Sequence, residues 1–320
     1  MNWYIGIIYQ IVTNNNAILY LKLSLTTYII ENLAIIYNSR SIIHLSMFWP
    51  FNKKASKNIA RIEIAGAIGS GTRKSVLKAL ELIEDKKYPA LLLRIDSPGG
   101  TVGDSYEIYR ALQRLQSKVK IVASYGNISA SGGVYIGMGA PHIMANPGTL
   151  TGSIGVILRG NNLEKLLDRV GVSFKVIKSG PYKDILSFDR ELTAAEEQIL
   201  QTLIDSTYEQ FVTTVAESRQ LDLEKVRAFA DGRIFTGEQA VEFGVVDKLG
   251  TEEDARRWVA ELAGLDPDKA KLHTIEERKP LLNRLLQSQV PGLTTVVSAA
   301  DWVQFEVSTS GQPLWLYRPK

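Results

Sequence analysis

The chain has 320 residues, of which 45% are hydrophobic and 22% charged, and its formal net charge is +3. This composition is ordinary for a globular protein with one large domain or two small ones. The charge is too small to indicate a nucleic-acid partner. The chain contains no cysteine, so disulfides, thiolate chemistry and cysteine-based zinc sites are excluded. The sequence indicates neither a cofactor nor a metal site.

The first 46 residues differ from the rest, because their only charged residues are Lys22, Glu31 and Arg40. Their apolar runs are shorter than the roughly 20 residues that span a bilayer. Three interpretations stay open for this segment: a weak membrane anchor, a disordered tail, or a start site placed too early, with Met47 as the true first residue. Residues 47–59 form an aromatic and basic leader, which lies either at a membrane interface or free in solvent.

From residue 60 to residue 265, apolar runs typical of strands alternate with runs of helical periodicity, which predicts a domain of parallel βαβ units. We predict strands over 61–64, 90–95, 119–124, 142–145, 155–158 and 173–177, and helices over 72–83, 104–116, 163–170, 193–219, 222–230, 237–243 and 252–263. Thr193, with Glu196 three residues later, predicts a capping box at the start of the longest helix. We expect residues 266–320 to be an extension that makes oligomer contacts.

One serine stands out as a candidate nucleophile. Ser131 lies in the run Ala130-Ser131-Gly132-Gly133, where a strand and turn lead into the next element. A serine nucleophile needs a base, and none of the three histidines is obviously placed to serve. A lysine is the natural alternative, since a desolvated amine can lose its proton near neutral pH. Lys183, 52 residues after Ser131 (183 − 131), and Lys178 both qualify from the residues alone.

Small residues surround this serine and suggest where an oxyanion would bind. The N–H of Gly132 follows the nucleophile, and the N–H of Gly100 belongs to the turn Asp96-Ser97-Pro98-Gly99-Gly100. Two such donors would stabilise a tetrahedral intermediate, although each motif taken singly is an ordinary tight turn. Ser153, in the predicted turn Thr151-Gly152-Ser153-Ile154-Gly155, either holds the lysine amine or caps that turn.

The other titratable candidates are weaker. Asp96 and Asp184 are interpreted either as an orienting or substrate-binding pair or as two aspartates that border turns. His142 lies in an apolar run and is expected to be a core or edge residue. His44 and His273 lie far from the motifs.

Taken together and in this order, the motifs resemble the short form of bacterial signal peptide peptidase A. The resemblance runs from Arg61 to Ala263 and also includes Ala145-Asn146-Pro147-Gly148-Thr149, Lys178-Ser179-Gly180-Pro181-Tyr182-Lys183-Asp184, Ala230-Asp231-Gly232-Arg233-Ile234-Phe235-Thr236-Gly237 and Gly244-Val245-Val246-Asp247. It implies an α/β fold of the Clp-protease and crotonase type. It also implies a serine endopeptidase that degrades remnant signal peptides at a membrane.

The resemblance assigns a role to each candidate. Ser131 would be the nucleophile, Lys183 the general base, and Ser153 the residue that positions the lysine, while Gly100 and Gly132 would form the oxyanion hole. The short-form relatives assemble into a dome-shaped octamer, in which neighbouring protomers supply the serine and the lysine of one site. We therefore expect a homo-oligomer that is peripherally or weakly attached to a membrane. The alternatives are a crotonase-type acyl-CoA enzyme and an oligomeric membrane scaffold without activity.

Overall fold

The computed structural model describes residues 57–275, residue 309 and residues 311–317. All of these belong to the larger of two compact units of the chain, Lys53–Lys320. The interpretations given for residues 1–46, and for the leader up to residue 56, lie outside the described residues. None of the helices described combines the length and the apolar composition that a bilayer crossing requires.

The described residues form a three-layered α/β domain. The strands are β1 (Ile59–Ala65), β2 (Ala90–Ser97), β3 (Gly99–Thr101), β4 (Lys120–Ala130), β5 (His142–Ala145), β6 (Leu150–Gly152), β7 (Ile234–Thr236), β8 (Lys248–Leu249), β9 (Leu272–Thr274) and β10 (Leu314–Leu316). The helices are α1 (Ser70–Asp85), α2 (Val102–Leu115), α3 (Gly132–Gly137), α4 (Glu164–Val170), α5 (Ala194–Arg219), α6 (Leu223–Arg227), α7 (Gly237–Phe243) and α8 (Glu252–Leu262).

Eight of these strands form one sheet, in the order β7-β6-β4-β2-β1-β9, with β5 next to β4 and β8 next to β5. All of its pairings are parallel except β6 with β7, as expected when helices connect successive strands. The strands β3 and β10 pair antiparallel as a second, two-stranded sheet. The predicted α/β class, built from parallel βαβ units, is confirmed.

The central strand β2 is buried on both faces, which explains its continuous apolar run. Leu91, Leu93 and Ile95 belong to the larger core cluster, together with the buried faces of α1, α2 and α5. Ala90 and Leu92 face the opposite side and pack with the buried face of α8. Helices on both faces therefore fix the sheet whose strand ends carry the candidate site.

Two predicted strands are wrong. Residues 155–158 contain no strand, because Ile157 pairs only through an isolated bridge with Leu314. Residues 173–177 have no regular secondary structure, and their apolar side chains Phe174, Val176 and Ile177 are exposed. The alternation of apolar residues predicted a strand at 173–177, but no neighbouring strand in the described part of the chain offers it a partner.

Smaller differences concern the ends of elements and the short strands. Helix α1 begins at Ser70 with Gly69 as its N-cap, two residues before the predicted start at residue 72. Part of the predicted turn at 151–155 is strand β6, which pairs with both β4 and β7. The expected extension beyond residue 265 supplies β9 and β10, which pair with β1 and β3. These strands have three residues each, too few for a recognisable alternating pattern.

Candidate active site

Ser131 occupies a strained junction between strand β4 and helix α3. Its backbone has φ 55° and ψ −116°, a conformation that residues with a side chain rarely adopt. Two hydrogen bonds hold it there: its N–H donates to the Gly152 carbonyl at 2.8 Å, and its own carbonyl accepts from the Tyr135 N–H at 2.9 Å. The residue is 1% exposed, and its Oγ has no hydrogen-bond partner among the described residues. A strained backbone and an unpaired buried hydroxyl are features that functional residues display.

The two predicted oxyanion donors lie together beside this serine. A β-carbon added to Gly132 would lie 3.1 Å from the Gly100 nitrogen and 2.7 Å from the Ser105 Oγ. A β-carbon on Gly100 would lie 1.9 Å from the Ile68 carbonyl oxygen, so only glycine fits at that position. The structure therefore brings Gly100 and Gly132 into one small region next to Ser131.

Two buried serines that sequence analysis did not single out support this region. The Ser97 hydroxyl donates to the Gly66 carbonyl at 2.6 Å and accepts from the Gly99 N–H at 3.1 Å, which fixes the turn into β3. Ser105 donates to the Thr101 carbonyl at 2.9 Å and lies beneath Gly132. Ser97 is part of the quoted turn motif, whereas nothing in the sequence around Ser105 suggests its position.

Ser153 directly follows β6, the strand that pairs with the end of β4 just before Ser131. Gly152 of β6 pairs with Ala130 of β4, so Ser131 and Ser153 each follow one member of that pair. Ser153 is buried, has φ 51°, and donates its N–H to the Arg233 carbonyl at 2.7 Å. Both serines thus leave neighbouring strands in left-handed conformations, at the same edge of the sheet.

The two candidate lysines have different surroundings. Lys178 donates to the Asp184 carboxylate at 2.6 Å and to the Pro181 carbonyl at 2.9 Å. Lys183 is exposed, and its ammonium group has no hydrogen bond or ion pair with the residues described. The described part of this single chain therefore shows no acceptor for Lys183, including the Ser131 hydroxyl.

An ion-pair network anchors the segment that carries Lys183. Arg190 donates to Asp184 at 2.9 Å and to Glu196 at 2.8 Å. The Glu196 side chain is only 3% exposed and also completes the predicted capping box with Thr193. Hydrogen bonds from Arg190 lower the pKa of Asp184 and of Glu196 to about 2, so both carboxyls are charged at neutral pH.

The remaining candidates have local structural roles. Asp96 accepts from the Ile128 N–H and the Asn127 side chain, each at 3.1 Å, where the pairing of β2 and β4 changes register. Asp96 and Asp184 therefore have separate sets of partners. His142 begins β5 as expected, its ring lies 4.9 Å from that of Trp258, and burial lowers its pKa. His273 bonds to the Tyr88 hydroxyl, and His44 lies outside the described residues.

The comparisons with known proteins place this chain in a family. The model of peptidase family S49 matches residues 113–266, and the Clp protease model matches residues 53–148. A protein of Synechocystis sp. whose name describes it provisionally as a protease is 68% identical to this chain over 278 residues. These residues cover 85% of this chain and the whole of that protein. The chain belongs to peptidase family S49. The expected resemblance is thereby confirmed.

More distant S49 relatives share part of the chain. A protein of Enterococcus faecium with the provisional name signal peptide peptidase SppA is 41% identical over 54% of this chain and 50% of its own length. The "Serine protease SPPA, chloroplastic" of Arabidopsis thaliana is 33% identical over 62% of this chain and 29% of its own length. Family membership and these names support a protease with a Clp-protease-like fold.

Proposed function

We propose that this S49 chain is a serine endopeptidase that uses Ser131 as nucleophile and Lys183 as general base. The observation that carries the proposal is the geometry at Ser131. Its hydroxyl is buried without a described partner, on a strained backbone, beside two glycines whose neighbours leave no space for a side chain. A nucleophile held next to backbone N–H donors is the arrangement that acyl transfer requires.

The proposed reaction has two halves. The neutral Lys183 amine takes the proton of the Ser131 hydroxyl, and Oγ attacks the peptide carbonyl. The Gly100 and Gly132 N–H groups stabilise the oxyanion, and the lysine ammonium then gives its proton to the leaving amine. In the second half, water attacks the ester on Ser131. The Lys183 amine takes a proton from this water and then gives a proton to the Ser131 oxygen as the acyl group leaves. Ser153, at the same sheet edge as Ser131, would hold the lysine amine by a hydrogen bond.

Lys183 is the better candidate of the two lysines because Lys178 already has acceptors within its own segment. We propose that a second copy of the chain brings Lys183 to Ser131. The same segment exposes large apolar side chains: Val170, Phe174, Val176, Tyr182 and Ile177, the last of which is 91% exposed. Such a patch is typical of an interaction surface, and covering it would desolvate the lysine amine and favour its neutral form.

The names of the relatives and the exposed apolar side chains around Lys183 support a proposal for the substrate class. The Enterococcus relative is named a signal peptide peptidase. We propose that this chain cleaves apolar peptides at a membrane surface, signal-peptide remnants among them. Attachment to that surface would be peripheral or through a weak anchor.

Turnover of a fluorogenic apolar peptide by the full chain tests the proposal. Ser131→Ala and Lys183→Ala should each lose activity by about 10⁴-fold while keeping the same assembly and melting temperature. Ser124→Ala, at a buried serine further from the end of β4, is the matched control and should retain activity. Equal turnover in all variants would overturn the dyad. Coenzyme A binding without any peptide turnover would favour the acyl-CoA alternative instead.

A further inference from the structure

Lysine side chains collect at the edge of the main sheet where its parallel strands begin. Ile59 of β1 pairs with Ala90 of β2 and with Leu272 of β9, and Ala90 pairs with Lys120 of β4. Because parallel strands in this register begin at the same edge, the residues that lead into all four strands lie along it. They include six exposed lysines, which we call the lysine edge: Lys57, Lys86, Lys87, Lys118, Lys120 and Lys271.

Local structure accounts for only part of this positive charge. Lys118 forms an ion pair with Glu84, and Lys86 and Lys87 follow the end of α1, where the helix dipole favours a cation. The other three lead directly into strands and have no ion pair among the described residues: Lys57, Lys120 and Lys271. Neither a helix end nor a carboxylate of the described chain therefore explains half of the lysine edge.

The opposite edge of the sheet, where the same strands end, carries little charge. Residues 65–69, 96–101 and 126–133 form the ends of β1, β2 and β4 and the turns after them, and they contain one charged residue, Asp96. The domain thus has a positive surface where the strands begin and a nearly neutral one beside Ser131. A surface of one sign attracts a partner of the opposite sign, so the partner of the lysine edge is anionic.

The aromatic and basic leader precedes this edge directly in the chain. Lys57, which leads into β1, follows a stretch with three aromatic residues and two more lysines: Phe48, Trp49, Phe51, Lys53 and Lys54. Aromatic side chains favour the interface between membrane and water, and lysines near it are attracted to anionic lipid headgroups. Apolar contact combined with this attraction is how peripheral segments bind a bilayer. The sequence of the leader therefore favours a membrane over other anionic partners.

We infer that the lysine edge binds the anionic headgroups of a membrane and that the docked chain holds Ser131 on the side that faces away from the bilayer. The choice of a membrane as partner rests on the proposed function, and the inference assigns the attachment to a defined surface. Strand β4 runs from Lys120 at the lysine edge to Ala130 beside the nucleophile, about 30 Å away at about 3.3 Å per residue. Substrate therefore reaches the site as a peptide that has left the bilayer or extends well beyond its surface.

Co-sedimentation of the full chain with lipid vesicles tests the surface without depending on catalysis. The vesicles contain phosphatidylcholine alone or equal parts of phosphatidylcholine and phosphatidylglycerol. The edge variant combines Lys120→Glu with Lys271→Glu, and the matched control combines Lys74→Glu with Lys225→Glu, at exposed lysines of α1 and α6. We expect the edge variant to bind the phosphatidylglycerol vesicles about thirtyfold more weakly than the unmodified chain, and the control to stay within about twofold of it.

Three results of this experiment would overturn the inference. The first is equal binding by the edge variant and the control. The second is equal binding of the unmodified chain to neutral and to anionic vesicles. The third is an edge variant that loses binding to single-stranded RNA and keeps its binding to anionic vesicles, since the lysine edge would then serve a nucleic acid.

Peptide turnover separates failure of this inference from failure of the proposed function. A short soluble peptide should be cleaved equally by the unmodified chain, the edge variant and the control. A peptide that partitions into anionic vesicles should be cleaved about tenfold more slowly by the edge variant alone. Equal cleavage of the vesicle-bound peptide by all three chains would contradict the docking role. Vesicle binding as expected, without cleavage of either peptide by any chain, would defeat the proposed function and leave the lysine edge standing.

Discussion

The two halves of the proposed dyad are built in different ways. Ser131 lies at the end of a buried strand, where backbone bonds to Gly152 and Tyr135 fix it. Lys183 lies in an exposed segment without regular secondary structure. A single chain thus assembles the nucleophile completely and leaves the base facing solvent. Packing within the chain fixes Ser131 and the two glycines beside it, and under the proposed function a second copy of the chain would complete the lysine side.

Replacing each of the two lysines separately has the largest expected effect on the contrast between the Ser131 side and the Lys183 side. Lys183→Met should reduce peptide turnover by about 10³-fold or more, because the proton acceptor is lost. Lys178→Met should keep most of the turnover, since Lys178 pairs with Asp184 within the segment. Comparable losses in kcat for both variants, at equal assembly, would remove the reason for preferring Lys183.

On the serine side, the glycines give a matched pair of variants. Gly100→Ala forces a β-carbon to 1.9 Å from the Ile68 carbonyl and should displace the oxyanion donor, with a loss of about 10²-fold in kcat. Gly103→Ala, at the start of α2, has no atom within 4 Å of the new carbon and should leave kcat unchanged. A Gly100→Ala chain that matches the control in kcat would show that this N–H stabilises no oxyanion.

Breaking the apolar surface should affect the lysine side alone. Ile177→Asp places a charge on a side chain that is 91% exposed in the single chain. We expect the oligomer to dissociate, with a drop of about tenfold or more in activity and an unchanged melting transition of the separate chain. Light scattering beside the turnover assay checks both results. An intact, fully active oligomer would place the assembly surface elsewhere.

The smallest effect concerns pH. The pKa values of Asp184 and Glu196 are lowered to about 2, from ordinary values of 3.8 and 4.5. Their stabilising contribution is therefore complete above about pH 4.5 and is lost as the pH falls toward 2. Amide exchange in residues 178–190 should stay constant from pH 8 to 5, after correction for the intrinsic rate, and rise below pH 4. A rise already at pH 6 would rule out this network as the anchor.

The sequence predicted the parts of the molecule that local pattern determines. The buried strand at 90–95, the strand at 142–145 and the capping box at Thr193 agree with β2, β5 and α5. The motif glycines Gly100 and Gly132 are also found together beside Ser131. These features depend on runs of apolar residues, cap residues and tight turns, all of which are visible in a single sequence.

What the sequence did not predict depends on distant parts of the chain. Ser105 supports Gly132 from a different helix, and β10 reaches β3 from more than 200 residues away. Residues 173–177 alternate like a strand yet pair with no described strand, because their apolar side chains face outward. Three-residue strands carry too little local pattern to be recognised.

A mixing experiment tests the central claim most directly. Ser131→Ala chains and Lys183→Met chains, each inactive alone, are dissociated, combined in equal amounts and reassembled. If neighbouring chains share each site, random mixing restores about a quarter of the unmodified activity, because one interface in four unites an intact Ser131 with an intact Lys183. Mixed oligomers that stay inactive, with both chains present, would show that the base is not supplied by a neighbouring chain.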